Sequence, residues 1–202
     1  MNILHIDCSP RQISWSRRLS AAVVARLQSD FTATVVSRDL GFAPLPHADA
    51  DYAQTLSSPA SLTATQTQSA TALSEELIGE IELADILVIG TPMNNFTVPS
   101  VLKAWIDQVL RMGRTIGTTP DGAKTGLLDN KPVYIAVSSG GIFSGERARQ
   151  PDFLTPYLSA ALECIGLKTL HFLPLQATAF LSDEELLAER DRLLAAMPAP
   201  QR

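Results

Sequence analysis

With 202 residues, the chain has the length at which one domain is usual, and we expect a single domain spanning residues 1–202. Hydrophobic residues make up 46% and charged residues 18%, which excludes a wholly disordered chain. A net charge of −5 at pH 7 argues against nucleic acid and anionic membranes as partners, because both attract basic proteins.

Five short apolar segments have the length of β-strands: residues 2–7, 32–39, 84–90, 131–138 and 167–174. Segments with helical periodicity follow them, at residues 19–27, 73–81, 100–110, 157–166 and 183–197. The runs ILVIG (86–90) and VYIAV (133–137) are continuously apolar, which indicates strands buried on both faces. The alternation predicts an α/β protein with a doubly wound five-stranded parallel sheet and helices on both faces.

The segment from Gly41 to Gln68 departs from this rhythm, because it is rich in Pro, Ala, Ser and Thr. Long loops are either functional or loosely ordered. We predict a surface connection with a short helix around residues 49–56.

Ligands of doubly wound sheets bind at the carboxyl ends of the strands, where the winding reverses. The segments after residues 7, 90 and 138 are therefore the candidate binding loops. We predict the flavodoxin-like strand order 2-1-3-4-5, in which the strands that precede these three loops are neighbours.

The loop after the first strand is rich in serine, with Ser9, Ser14 and Ser16 before or at a helix that should begin near Trp15–Arg17. A helix start offers unpaired N–H groups and serine hydroxyls add donors, so the loop suits a phosphate. Ordinary helix capping with solvated arginines is the alternative. The Walker A and dinucleotide-binding glycine patterns are absent, and Cys8 lacks the arginine six residues on that a low-molecular-weight tyrosine phosphatase needs.

The other two loops suit a flat ring. The second loop combines amides with apolar flanks, as a heterocycle requires, at Met93, Asn94, Asn95 and Phe96. An ordinary strand-to-helix turn is the alternative. After the fourth strand, the segment from Ser138 through Ser139 to Gly140 and Gly141 allows a ring to approach the main chain, although glycine pairs are common in turns.

A phosphate site, a heterocycle cradle and a glycine platform in a row predict a mononucleotide site, and FMN is the mononucleotide that this topology commonly binds. We predict no metal site and no catalytic acid or base. The histidines at 5, 47 and 171 are interpreted as core or surface residues.

The chain resembles the FMN-dependent NADH-azoreductases and the related NAD(P)H:quinone oxidoreductases, which have a flavodoxin-like fold. The resemblance covers nearly the whole chain. It rests on Ser9-Pro10-Arg11, on Ser14-Trp15-Ser16, on PMNNFTVPSVLKAWIDQVLRMGRTI (92–116), on VSSGG (137–141) and on TPYLSAALECIGL (155–167).

The resemblance implies a role for each loop. Ser9, Ser14 and Ser16, with the Trp15 backbone, would hold the FMN phosphate. The stretch Met93, Asn94, Asn95 and Phe96 would contact ribityl and ring, and Ser138, Ser139, Gly140 and Gly141 would face the other side of the ring. It also implies a homodimer.

The sequence departs from the family at several positions near the expected pocket. Asn94 stands where a tyrosine is usual, Ser139 where an arginine is frequent, and Phe143 where some relatives carry a histidine. Ile116 and Thr118 replace aromatic residues. Because these segments shape the substrate pocket in the family, the resemblance implies the flavin and leaves the substrate open.

The resemblance implies two-electron, ping-pong reduction of quinones and azo compounds, with hydride passing from NADH or NADPH through flavin N5. A non-catalytic flavodoxin-type electron carrier and a relative without azo activity remain alternatives. A receiver-type signalling domain is disfavoured because the acidic cluster that it needs is missing. Since the sequence has neither an apolar run of transmembrane length nor a secretion signal pattern, we expect a cytoplasmic protein with small-molecule partners.

Overall fold

The computed structural model describes residues 1–57 and 69–200. Within them the strands are β1 (Asn2–Asp7), β2 (Thr34–Asp39), β3 (Ile86–Pro92), β4 (Ile116–Thr118), β5 (Lys124–Gly126), β6 (Pro132–Ser138) and β7 (Thr169–Leu175). The helices are α1 (Trp15–Asp30), α2 (Ala50–Leu56), α3 (Ala72–Leu83), α4 (Ser100–Val109), α5 (Leu154–Cys164) and α6 (Asp183–Ala196).

The main sheet is parallel and has the order β2-β1-β3-β6-β7. Because β6 and β7 are the fourth and fifth predicted strands, this is the predicted order 2-1-3-4-5, and the fold prediction is confirmed. The register aligns Asp7 with Gly90, and Pro92 with Ser138. The ends of β1, β3 and β6 therefore share one edge of the sheet.

Helices cover both faces of the sheet, and alternate residues of β3 pack into the two cores. Leu87 and Ile89 join the core beneath α3, α4 and α5, whereas Ile86 and Val88 join the core beneath α1 and α6. Each buried Leu or Ile side chain contributes about 1.5–3 kcal/mol of hydrophobic stabilisation. This two-sided burial explains why the strand is continuously apolar.

The structure adds one feature that was not predicted and confirms another. The antiparallel hairpin of β4 and β5 was not predicted, because each strand has three residues with little apolar pattern. The turn at Pro120-Asp121-Gly122, with Gly122 at φ +85°, is the signal that could have located it. The short helix predicted around 49–56 is confirmed as α2, while residues 58–68 of the predicted connection lie outside the described residues.

Candidate functional site

The three predicted loops lie side by side, because main-chain hydrogen bonds continue the sheet ladder into them. Cys8 donates to the Gly90 carbonyl at 2.9 Å and Met93 to the Ser138 carbonyl at 2.8 Å. Ser139 in turn donates to the Leu175 carbonyl at the end of β7, at 3.0 Å. The structure therefore places the three loops that the sequence analysis grouped next to one another.

The first loop forms what we call the serine seat: Ser9, Ser14, Trp15 and Ser16. Its three serines are buried, and Ser16 is 0% exposed. Ser14 holds the N-cap position of α1, yet within the described chain its side chain makes no capping bond; its hydroxyl instead lies 2.9 Å from that of Ser16. The alternative of ordinary helix capping is therefore not observed for α1 within the described residues. The Ser14 and Ser16 hydroxyls thus lie together at the start of α1, where a helix offers first-turn N–H groups to an anion.

The arginines of this loop differ from one another. Arg11 is exposed, and the Arg18 guanidinium lies 4.6 Å from the centre of the Trp15 ring. Arg17 turns inward, where it bonds both carboxylate oxygens of Asp39, at 2.8 and 2.6 Å, and the Ser9 carbonyl oxygen. The hydrogen bond from Arg17 lowers the pKa of Asp39. Sequence reasoning missed this pair, although two opposite charges at the ends of neighbouring elements were visible.

A second polar group lies beneath the serine seat. The Ser20 hydroxyl donates to Asp7 at 2.9 Å and lies 3.0 Å from His5 Nε2. Burial raises the pKa of Asp7 and lowers that of His5. Burial also raises the pKa of the Cys8 thiol, which disfavours the thiolate that phosphatase chemistry needs.

The second loop is a tight turn over residues 94–97, which we call the amide turn. Asn94 and Thr97 exchange main-chain hydrogen bonds of 2.9 and 3.0 Å. The two central residues, Asn95 and Phe96, have φ values of 47° and 71°. Positive φ is unfavourable for a phenylalanine, and such strain clusters at functional sites. Asn94, Asn95 and Phe96 are exposed at the rim of the sheet edge, while Met93 is half-buried.

The third loop, residues 138–141, forms the glycine platform, and Gln150 lies against it. The Gln150 side-chain amide donates to the Ser139 hydroxyl at 3.1 Å and to the Met93 sulfur at 3.2 Å. A Cβ at Gly141 would collide with the Gln150 side chain, whereas one at Gly140 would meet only Ala179, at 3.5 Å. A glycine at position 141 is therefore needed to accommodate the Gln150 side chain. At position 140 the absence of a side chain leaves the exposed main chain uncovered.

The loop after β7 supports the platform from behind. The N–H groups of Ala177, Thr178 and Ala179 donate to the carbonyls of residues 141, 139 and 140, at 3.2, 3.0 and 3.3 Å. Gln176 accepts from the Phe143 and Ser144 N–H groups at 2.7 and 2.9 Å. The sequence analysis missed Gln150 and this loop, since nothing in their local pattern separates them from other polar connections.

The departures noted in the sequence have different environments. Phe143 and Ile116 are buried, each 5% exposed, and belong to the same core cluster. Thr118 is exposed on β4. Asn94 and Ser139 therefore remain the departures that lie directly in the predicted binding loops.

Most of the apolar side chains on α4 belong to the core. Leu102, Trp105, Ile106 and Val109 are buried, and Lys103 pairs with Asp107 as their spacing predicts. Across the described ranges 1–57 and 69–200, no helix combines the length and the apolar character needed to cross a bilayer.

Comparison with known proteins agrees with this geometry. A family model described as a flavodoxin-like fold matches residues 1–197. An FMN-dependent NADH:quinone oxidoreductase of Pseudomonas fluorescens is 46% identical over 198 residues, covering 97% of this chain and 93% of that protein. One from Burkholderia lata is 48% identical over 182 residues, covering 88% and 86%. The chain belongs to the family of FMN-dependent NADH:quinone oxidoreductases.

The fold of the chain is also similar to that of solved structures. An azoreductase of Bacillus anthracis superposes with a TM-score of 0.83 at 22% identity, over 97% of this chain and 98% of the other. An FMN-dependent NADH-azoreductase of the same species, solved in complex with FMN, gives a TM-score of 0.81 at 21% identity, over 96% of each chain. The family predicted from the sequence is confirmed.

Proposed function

We propose that the protein binds FMN at the edge formed by the serine seat, the amide turn and the glycine platform, and uses it to reduce quinones. One observation carries the proposal: in the described residues the buried Ser14 and Ser16 bond each other at the start of α1 without capping it, and Arg17 ties the buried Ser9 to the same turn, beside two loops that are bonded to one another. The relatives named as FMN-dependent NADH:quinone oxidoreductases support the choice of cofactor and substrate.

The residues fit FMN by their chemistry. Ser9, Ser14 and Ser16, with the Trp15 backbone, would hold the phosphate, because they offer donors at the positive end of a helix. Met93, Asn94, Asn95 and Phe96 would contact ribityl and ring. The other side of the ring would face Ser138, Ser139, Gly140 and Gly141. Gly140 is exposed and has no side chain, so the ring could approach the main chain there.

When bound, FMN supplies a two-electron carrier whose N5 takes hydride from NADH or NADPH and gives it to a quinone or an azo compound. The protein's share is to orient the ring, to leave one face open and to offer amide and main-chain donors around it. We assign no catalytic acid or base. His5 is enclosed with Asp7 and Ser20, and Cys8 is fully buried, so neither reaches a substrate.

The first test is the visible absorption spectrum of the purified protein with added FMN, followed by anaerobic NADH and then a quinone. We expect a bound flavin spectrum that NADH bleaches and the quinone restores through many turnovers. Bleaching without rapid turnover would favour the electron carrier. Absence of binding at excess FMN would refute the proposal.

We also propose a homodimer and one cooperative unit over residues 1–202. The exposed Phe153, whose N–H donates to the Phe96 carbonyl at 3.0 Å, places apolar surface beside the amide turn that a second subunit could cover. Sedimentation equilibrium should give twice the monomer mass, and denaturant should unfold the chain in one transition. A monomer at micromolar concentration would exclude the dimer.

A further inference from the structure

Arg17 ties three elements together directly behind the serine seat. It belongs to the first turn of α1, and its side chain is 13% exposed. Its Nε and Nη2 atoms donate to the Ser9 carbonyl at 2.9 and 2.6 Å, and its Nη1 atom lies 3.4 Å from Asp7. One side chain therefore joins the end of β1, the end of β2 and the start of α1.

Asp39, at the end of β2, holds Arg17 in this position. Besides the two bonds from Arg17, its carboxylate accepts from the N–H groups of Gly41 and Phe42, at 3.1 and 3.0 Å. The Phe42 ring lies 4.2 Å from the guanidinium carbon. A Cβ at position 41 would collide with the Ser9 carbonyl, so Gly41 permits the close approach. The two bonds to the Asp39 carboxylate fix the orientation of the guanidinium.

This arrangement pairs the charge of Arg17 with groups of the protein itself, so that the charge is not directed at a ligand of the serine seat. Asp39 bonds the guanidinium and Asp7 lies 3.4 Å from its Nη1 atom, while Nε and Nη2 donate to the Ser9 carbonyl. The peptide between Ser9 and Pro10 has an acceptor oxygen but no N–H. A carbonyl oxygen left without a partner beside an anion would repel it, and Arg17 satisfies that oxygen.

We propose that Arg17 is the positioning residue of the serine seat: it fixes the Ser9 end of the loop so that the seat selects a flavin with a phosphate group. The proposal rests on the proposed function, because it assumes that the seat receives the FMN phosphate. Arg17 itself makes no contact with the ligand. Its removal should therefore alter phosphate recognition and leave recognition of the ring unchanged.

The test compares FMN with riboflavin, which carries the same ring and ribityl chain without the phosphate. Apoprotein is titrated with each flavin, and quenching of flavin fluorescence gives the dissociation constants. The wild type should prefer FMN. Arg17→Met should lower FMN affinity about tenfold to hundredfold, as expected when the Ser9 carbonyl is left without a partner beside the phosphate. Riboflavin affinity should stay at the wild-type value.

Two further variants make the test specific. Arg17→Met leaves Asp39 without its partner, so Arg17→Met/Asp39→Asn repeats the titration with an uncharged pair that is easier to fold. Arg38→Met is the matched control, because Arg38 adjoins Asp39 but bonds Glu76 and Glu80 on α3. Arg38→Met should keep the wild-type ratio of FMN to riboflavin affinity.

Each outcome has one meaning. The proposal is overturned if both Arg17 variants keep the wild-type ratio, if Arg38→Met loses it equally, or if neither Arg17 variant folds, since Arg17 would then serve the fold alone. A wild type that binds both flavins equally would also overturn it, while leaving flavin binding intact. A wild type that binds neither flavin would refute the proposed function itself.

Discussion

Gln150 is bonded to Ser139 by a 3.1 Å hydrogen bond from its side-chain amide to the serine hydroxyl. The same amide nitrogen donates to the sulfur of Met93, which lies on the neighbouring loop. Gln150 thus cross-links Met93, directly before the amide turn, to the glycine platform. The two loops proposed to enclose the flavin ring share this one side chain.

Replacing Gln150 with alanine should weaken binding of the ring. Loss of a hydrogen bond costs about 0.5–1.5 kcal/mol, so we expect FMN affinity to fall about two- to tenfold. Riboflavin affinity should fall by the same factor, because the phosphate is not involved. Fluorescence titration measures both. Gln28→Ala, at an exposed position on α1, is the control that should bind as the wild type does. Unchanged riboflavin affinity in Gln150→Ala would mean that this cross-link does not support binding of the ring.

Substitution of the two glycines should have different effects. Gly141→Ala should displace the Gln150 side chain and reproduce the weaker ring binding of Gln150→Ala, because the new Cβ occupies the space of the amide. Gly140→Ala has room for its Cβ and should fold with wild-type stability. Titration with riboflavin and thermal unfolding separate the two cases. Equal ring binding in Gly141→Ala and the wild type would show that Gln150 moves without consequence.

Phe96→Gly should stabilise the fold relative to Phe96→Ala. Both variants remove the exposed ring, but only alanine keeps a Cβ at φ 71°. Relief of the left-handed conformation should raise the free energy of unfolding of the glycine variant by about 1 kcal/mol over the alanine variant. Urea unfolding monitored by circular dichroism measures the difference. Equal stability would mean that the turn relaxes when the ring is removed.

Ser14 and Ser182 provide a crossed test of the serine seat. Ser182 caps α6 through a capping box with Glu185, whereas Ser14 bonds Ser16. Ser182→Ala should lower the free energy of unfolding by about 1 kcal/mol and leave FMN affinity unchanged. Ser14→Ala should lower FMN affinity about tenfold with little change in stability. If Ser14→Ala bound FMN as tightly as the wild type, the seat would not hold the phosphate.

Stability should depend on His171 at mildly acidic pH. His171 packs on Tyr134 with ring centroids 5.0 Å apart, and burial lowers its pKa from 6.5. As pH falls below 6.5 the unfolded chain takes up a proton before the folded protein does, so stability is lost until the folded pKa is reached. Urea unfolding at pH 7.5 and 5.5 should show a smaller loss for His171→Phe than for the wild type. Equal losses in His171→Phe and the wild type would contradict this prediction.

The sequence predicted the fold well, because buried parallel strands such as β3 and β6 leave continuous apolar runs. It also located the three loops, since the ends of neighbouring strands must meet at one edge. It did not predict the β4–β5 hairpin, whose strands are too short for a pattern. Gln150 and the Arg17–Asp39 pair depend on contacts between distant parts of the chain, which local periodicity does not record.

The support of the glycine platform by main-chain donors has a consequence for how the enzyme can diversify. In the part of the chain that the structure describes, the hydrogen bonds by which Thr178 and Ala179 hold the platform come from their N–H groups. Their side chains can therefore be exchanged without loosening the platform. Variation at these two positions offers natural selection, or a protein engineer, a way to reshape the approach to the ring while its scaffold stays the same.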